Sequence, residues 1–225
     1  MKEAEPMTPS RSGRPRLEPR ESSSESPAEE ILIAASRLFA RKGFASTTTR
    51  EIAQAAGIQQ PSIFYWFPTK WAILNKLIES SIVDSSRLAL DIRARDGRAI
   101  TRLYALLLFD TRLMCASPYD LSFLAGAPEL RDKRITYGPH LTALQQTVEE
   151  LIALAVNEGD IESIDPRFAR MAILDLAASV LRWNVHETSV EDVADAVVRL
   201  AMRAVAADGV DLAQVAADAQ ASLNP

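Results

Sequence analysis

The sequence predicts an all-α protein: a small N-terminal unit of three short helices, then a larger helical domain. Three observations predict it. Alanine and leucine recur at helical spacing almost everywhere after Ser26. Only 8 glycines occur in 225 residues, and β-branched runs are few, which argues against an all-β fold. Ser, Thr, Gly and Pro stand where periodic segments begin and end.

Residues 1–26 are rich in Ser, Pro, Glu and Arg and nearly free of large apolar groups. They cannot bury enough surface to offset ordering entropy, so a disordered arm is expected. Its stretch Arg11-Ser12-Gly13-Arg14-Pro15-Arg16 suits an extended arm in a DNA minor groove. The plainer reading is a solvated tail. The first helix opens sharply, with Ser26 as N-cap, Pro27 in the first turn and Glu29 completing a capping box. Ile31, Ala35, Leu38 and Phe39 form one apolar stripe, and Gly43 closes the helix. In the second helix Thr48 caps, Glu51 answers, and Ile52, Ala53 and Ala56 face inward. Gly57 ends it after barely two turns. Ile58 leads into a third short helix over about 60–67, with Pro61 tolerated in its first turn and Ile63 and Phe67 in the core. Pro68 stops it, and Thr69 caps a longer helix over about 70–93.

Beyond Asp96-Gly97, the pattern predicts helices near 98–116, 137–158, 167–187 and 190–207. Residues 117–136 hold Pro118, Gly126 and Pro128 and read as loops with short helical turns. Residues 208–225 are Ala-rich and read as a tail or a frayed helix. The expected division is a disordered arm at 1–26 and a DNA-binding unit at 27–72. An effector-binding and dimerisation domain at 73–207 and a C-terminal tail at 208–225 follow.

Charge and chemistry narrow the function classes. The net charge is −5, but its distribution is uneven. Residues 27–72 hold five bases against three acids, whereas residues 73–225 hold 15 bases against 22 acids. A basic head on an acidic body suits a DNA partner. Cys115 is the only cysteine, so no internal disulfide and no cysteine metal cage can form. The first twenty residues lack the apolar core of a signal peptide, and runs such as Leu103–Phe109 are far too short to span a bilayer. A cytoplasmic protein without membrane contact is expected. Catalytic strings such as H-E-x-x-H, G-x-S-x-G, a P-loop or G-x-G-x-x-G are absent. The two histidines are His140 and His186, and the pair His186-Glu187 reads more simply as a surface pair than as half a metal site. No enzyme, no metal and no cofactor is expected.

Two short helices joined by a tight glycine turn, within some forty residues, have the spacing of a helix-turn-helix. The run Thr48-Thr49-Arg50-Glu51-Ile52-Ala53, then Ala56-Gly57-Ile58, then Pro61-Ser62-Ile63-Phe64-Tyr65-Trp66-Phe67-Pro68-Thr69-Lys70, resembles the TetR family of transcriptional regulators over roughly residues 27–75. The resemblance implies an all-α homodimer whose third helix lies in the major groove and whose larger domain holds a ligand pocket. Carried over by position, it implies that Thr49 and Arg50 approach the DNA backbone or a nearby base. Gln59, Gln60, Pro61 and Ser62 would face base edges, Tyr65 and Trp66 would touch sugar-phosphate, and Lys70 would contact a phosphate. Two positions depart from the family pattern: Gln59 stands where Ser or Thr is usual, and Phe64 where Tyr is usual. Gln can pair bidentately with adenine, and Arg50, Tyr65 and Lys70 would fix register rather than read sequence.

In the larger domain, Phe168 to Trp183 is apolar nearly all round, with Met171, Ile173, Leu174, Leu176, Val180 and Leu181. The following helix carries Ala194, Val197, Ala201, Ala204 and Val205 on one side. These two helices are expected to pair with their copies in a four-helix dimer interface, against the plainer reading of packing within one chain. Candidate effector contacts are Tyr104, Phe109, Met114, Phe123, Tyr137, His140, Met171 and Trp183, an aromatic and methionine set that equally suits plain core. A hydrophobic or aromatic effector fits them. The expected function is a repressor released from a palindromic double-stranded DNA operator by a small molecule. The alternatives are a helical small-molecule carrier or interaction protein that has lost DNA binding, and an enzyme built around His140.

Overall fold

The structure, a computed structural model, describes residues 26–124, 127–183 and 189–223. The N-terminal arm up to residue 25 lies outside the described residues, as does His186-Glu187. Nine α-helices occur among the described residues: α1 Pro27–Lys42, α2 Thr49–Ala55, α3 Gln60–Trp66, α4 Lys70–Ala94, α5 Ala99–Ala116, α6 Gly138–Glu158, α7 Pro166–Ala177, α8 Val190–Arg203 and α9 Leu212–Leu223. Short 3-10 turns cover Ser122–Leu124, Pro128–Arg131 and Ala178–Arg182. The all-α expectation holds.

The local chemistry explains the boundaries. The Ser26 side chain accepts from the Glu29 N–H at 3.3 Å, so α1 starts where a donor would otherwise be orphaned. Ile31, Ala35, Leu38 and Phe39 are all buried. At the other end Gly43 takes φ +82°, and its N–H reaches the Phe39 carbonyl at 2.9 Å. Thr69 caps α4 by accepting from Ala72 N–H at 3.1 Å. That 25-residue helix runs from the small head into the larger body. The apolar run Leu103–Leu108 is buried on every side because α5 is surrounded by α4, α6, α8 and α9. Its first turn has no cap of its own; the Glu158 carboxylate from α6 accepts the Ala99 N–H at 2.9 Å.

Three expectations need correction. The helix expected over 167–187 is α-helical only to Ala177, tightens into the 3-10 turn Ala178–Arg182, and ends at Trp183. Residues 184–188 lie outside the described residues. The helix expected over 190–207 stops at Arg203, where the chain turns so that Ile161 and Ala206 form an isolated antiparallel bridge. Residues 208–225 are not simply a tail: α9 buries Val215, Ala216 and Ala219 and packs along α5. Alanine there is a contact residue that lets two helices approach closely.

Of the expected side of α8, Ala194, Val197 and Ala201 are buried within the chain, where α8 packs on α5 and α7; beyond its end Val205 is buried too, whereas Ala204 is exposed. The outward surfaces of α7 and α8 carry Phe168 and Met171, both within the expected apolar segment, and Leu200, all exposed.

A polar layer crosses the body core. Ser85 on α4 donates to Asp110 on α5 at 2.5 Å, and Ser86 lies 3.1 Å from His140 Nδ1 on α6. Burial pushes the Asp110 carboxyl up to about 6, and the Ser85 hydrogen bond only partly opposes this. A carboxyl raised on folding is protonated in both states below pH 4 and costs nothing there. Stability is lost as pH rises from about 4 to about 6, by on the order of 3 kcal/mol. Asp110→Asn is therefore expected to raise the melting temperature at pH 8 relative to wild type, with the gain fading at pH 4. Thermal unfolding at the two pH values checks this; an equal change at both would contradict it.

Candidate nucleic-acid interface

The two short helices of the head are each seven residues long and are held by specific local contacts. Thr48 and Glu51 form a reciprocal capping box: the Thr48 hydroxyl accepts from Glu51 N–H at 3.2 Å, and the Glu51 carboxylate accepts from Thr48 N–H at 2.9 Å. Lys42, in the last turn of α1, pairs with the same carboxylate at 2.6 Å. The Lys42 ammonium, followed by the Thr48 hydroxyl and amide, holds the Glu51 carboxyl down to about 2. It therefore stays ionised, and the box stays closed, at neutral pH. The turn between α2 and α3 needs φ +64° at Gly57, a conformation that only glycine adopts cheaply. Ile58 N–H closes it onto the Ala53 carbonyl at 3.0 Å.

Ile52, Ala53 and Ile63 are buried beneath the pair and fix α3 across α2. Gln59 gives α3 no side-chain cap, as its sequence position implies. Pro61 in the first turn has no N–H to leave orphaned.

The outward surface of α3 is unusual. Ile63 is its one buried residue, and the other six are exposed. Tyr65 is 82% exposed, Phe64 49% and Trp66 41%. Tyr65 and Trp66 meet edge to face with centroids 5.1 Å apart. The expected site residues Gln59, Gln60, Pro61, Ser62, Tyr65 and Trp66 are thus all exposed, as is Arg50, and Thr49 is half-buried. Gln60 Nε2 reaches Thr49 Oγ1 at 3.5 Å, which brings the starts of α2 and α3 together. Among the described residues, Arg41 and Arg50 are exposed and pair with no carboxylate. Phe64 belongs to this surface too. The sequence reading treated it only as a missing hydroxyl, although the inward spacing of Ile63 and Phe67 already turned it outward.

Lys70 is placed differently from its expectation. Its ammonium lies 2.5 Å from the Phe44 carbonyl, 2.6 Å from Thr47 and 3.4 Å from Ala45, and 4.2 Å from the centre of the Phe44 ring. An ammonium has three N–H donors, and three carbonyls meet them. Partial burial lowers its pKa. Lys70 therefore ties the start of α4 to the loop between α1 and α2 and holds the head in shape.

The expected effector residues do not converge. Tyr104 is fully buried, with its hydroxyl 3.4 Å from Asp195. Phe123 packs edge to face on Phe39 of the head, with centroids 5.4 Å apart. Tyr137 and His140 meet with tilted rings, centroids 5.9 Å apart, and His140 reaches Ser86 of α4. Phe109 is half-buried on α5, and Met171 is exposed on α7. Met114 and Trp183 line one cavity, of about 470 Å³, where α5 ends and the 3-10 turn after α7 begins. Arg37, Tyr119 and Arg182 also line it; the sequence reading did not select them, because nothing in their spacing brings three distant segments together.

Comparison with known proteins agrees with this geometry. A family model described as bacterial regulatory proteins, tetR family, matches residues 31–77. A second, described as a tetracyclin repressor-like C-terminal domain, matches residues 135–205. The HTH-type transcriptional repressor KstR2 of Rhodococcus jostii is 27% identical over 158 residues, covering 68% of this chain and 78% of that protein. The crystal structure of Mycobacterium smegmatis AmtR is 30% identical, covers 90% of this chain and 97% of that one, and superposes with a TM-score of 0.76. AibR, crystallised with isovaleryl coenzyme A and operator DNA, shares the fold at 19% identity and a TM-score of 0.62, over 78% of this chain and 97% of that one.

A Lys70→Met variant separates the two roles of that side chain. Three carbonyls lose their donor, so the melting temperature is expected to fall, at a cost of about 1–3 kcal/mol. Measured well below that temperature, the salt dependence of DNA binding is expected to keep its slope. A slope smaller by about one would mean that Lys70 is on a phosphate after all.

Proposed function

Because this chain belongs to the TetR family of bacterial regulatory proteins, we infer that it is a repressor that a small-molecule effector releases from a palindromic operator. The observation that carries this reading is the surface of α3. A seven-residue helix that turns Phe64, Tyr65 and Trp66 outward exposes apolar area that a free surface gains nothing by exposing. A major groove admits one helix and reads the residues at its N-terminal end. Gln59, Gln60, Pro61 and Ser62 occupy that end. Gln60 is the residue best suited to adenine, through paired donor and acceptor contacts. Thr49, Arg50 and the Tyr65 hydroxyl meet sugar and phosphate and set the register. Trp66 and Phe64 cover the flank of the groove.

The dimer in this reading forms through the outward surfaces of α7 and α8. Phe168 and Met171 stand one turn apart on α7, and Leu200 is exposed on α8. A two-fold axis there would set two α3 helices about one DNA turn apart, roughly 34–36 Å. The effector favours a body conformation that changes this separation, and affinity falls because both heads no longer fit at once. AibR, whose structure holds an acyl coenzyme A and operator DNA together, is a precedent for both ligands on this fold. A regulator of this kind works in the cytoplasm, where the operator is.

Fluorescence anisotropy against DNA from upstream of the chain's own gene, with a genome-wide fragment pool as a second source, tests the reading. Arg50→Ala is expected to weaken binding to all sequences alike and to reduce the salt slope by about one. Gln60→Ala is expected to cost about 1–3 kcal/mol on the operator and to leave binding to random DNA unchanged. Wild-type binding no tighter to any fragment than to random DNA would favour the carrier reading instead.

A further inference from the structure

The head and body meet along the segment that follows α5. Asp120 N–H donates to Ser36 Oγ on α1 at 3.2 Å, and Phe123 packs on Phe39. Directly beside these contacts lies the cavity of about 470 Å³, within the size range of a small-molecule site. Its apolar wall comes from the body: Met114, Leu121, Val180 and Trp183. Its charge comes from both sides. Arg37 projects from α1 of the head, and Arg182 from the 3-10 turn after α7 of the body. Among the described residues, neither guanidinium has a hydrogen-bond or carboxylate partner, although most arginines of the body are paired. Among the described residues Asp120 is the one acid in the lining, and its carboxylate already accepts from Ser122 N–H at 3.2 Å and Ser122 Oγ at 2.6 Å. Two unpaired cations therefore line a cavity that spans the joint and has an apolar wall on the body side.

We propose that this cavity binds an amphipathic anion, an apolar body ending in a carboxylate or a phosphate, with Arg37 and Arg182 on its acidic head. The inference rests on the effector-responsive reading above and names the chemistry of the effector. Guanidinium forks suit carboxylate and phosphate oxygens, and the apolar wall suits the rest of such a ligand. One arginine belongs to α1 and the other to the body, so a bound anion ties the head to the body in one relative setting. An anion with higher affinity for that setting shifts the equilibrium of the heads, which is what release from an operator requires.

Cys115 makes the test local, because it is the only cysteine of the chain and lines this cavity. Its rate of modification by the neutral reagent 4,4′-dithiodipyridine is measured on the full chain with decanoate, decyl phosphate or decan-1-ol. Decanoate or decyl phosphate is expected to protect the thiol saturably, and whichever protects better assigns the acidic head as carboxylate or phosphate. Decan-1-ol is expected to need about 10-fold more, the scale of a lost charged hydrogen bond. Arg37→Ala and Arg182→Ala should each raise the half-protecting concentration of the anion by about 10-fold, with decan-1-ol unaffected. Arg87→Ala, an exposed α4 arginine paired with Asp84, should change neither. The protecting anion should also weaken operator binding in wild type and lose that effect in Arg37→Ala. Equal protection by the alcohol, no protection by either anion, or protection without any change in operator affinity overturns the proposal. Operator anisotropy on the same preparations keeps the two claims apart: specific DNA binding without anion protection removes this inference alone, and no specific DNA binding removes the regulator reading.

Discussion

Two helices of seven residues cannot stand by themselves in water, and the design of the head follows from that constraint. Nucleating a helix fixes several residues for each hydrogen bond gained, so α2 and α3 need support from outside. Burial of Ile52 and Ile63 supplies part of it. The capping box at Thr48 and Glu51 satisfies donors at one end, and Lys42 holds Glu51 in its charged form. Lys70 gathers three carbonyls of the preceding loop and so links α1, the loop and α4 at one ammonium. With the supports beneath, almost the whole outer surface of α3 is free for a partner.

The same supports connect the head to the body. Phe44, which Lys70 overlies, packs on Trp71 with centroids 4.6 Å apart, and the Arg134 guanidinium lies 3.8 Å over the other aromatic ring. Asn75 on α4 bonds the Arg134 carbonyl at 2.8 Å and the Thr136 N–H at 2.9 Å. On the opposite side, Ser36 and Phe39 of α1 hold the segment after α5. The body thus grips the head at two separate places. A change in body packing that moves either segment must turn the head, because close-packed contacts rearrange between discrete settings and do not stretch.

Much of the fold was legible in the sequence, and the reasons differ by element. Ser26, Thr48 and Thr69 each cap the helix assigned to them, because capping depends on residues three apart in the chain. The exposed set on α3 was legible for the same local reason. Interactions between distant segments were not. The Lys70 ammonium reaches residues more than twenty positions away, and a lysine just after a proline turn reads equally well as a phosphate contact. The small residues of α8 suggested an interface between subunits, yet Ala194 and Ala201 pack inside the chain, since close approach is useful in both settings. Alanine-rich α9 looked like a tail because its burial comes mainly from α5, more than ninety residues earlier. The aromatic and methionine set scatters between core, half-buried and exposed positions, with Tyr104 alone fully buried, and the cavity draws also on Arg37 and Arg182, which no periodicity joins.

The central claim is that two copies of α3 read one operator together. Hydroxyl-radical footprinting of the bound operator fragment tests it most directly. The account predicts two protected windows of equivalent sequence whose centres lie about one helical turn apart, roughly 34–36 Å, with both weakened together when Gln60 is replaced by Ala. A single protected window, or even protection along the fragment without regard to sequence, would contradict it.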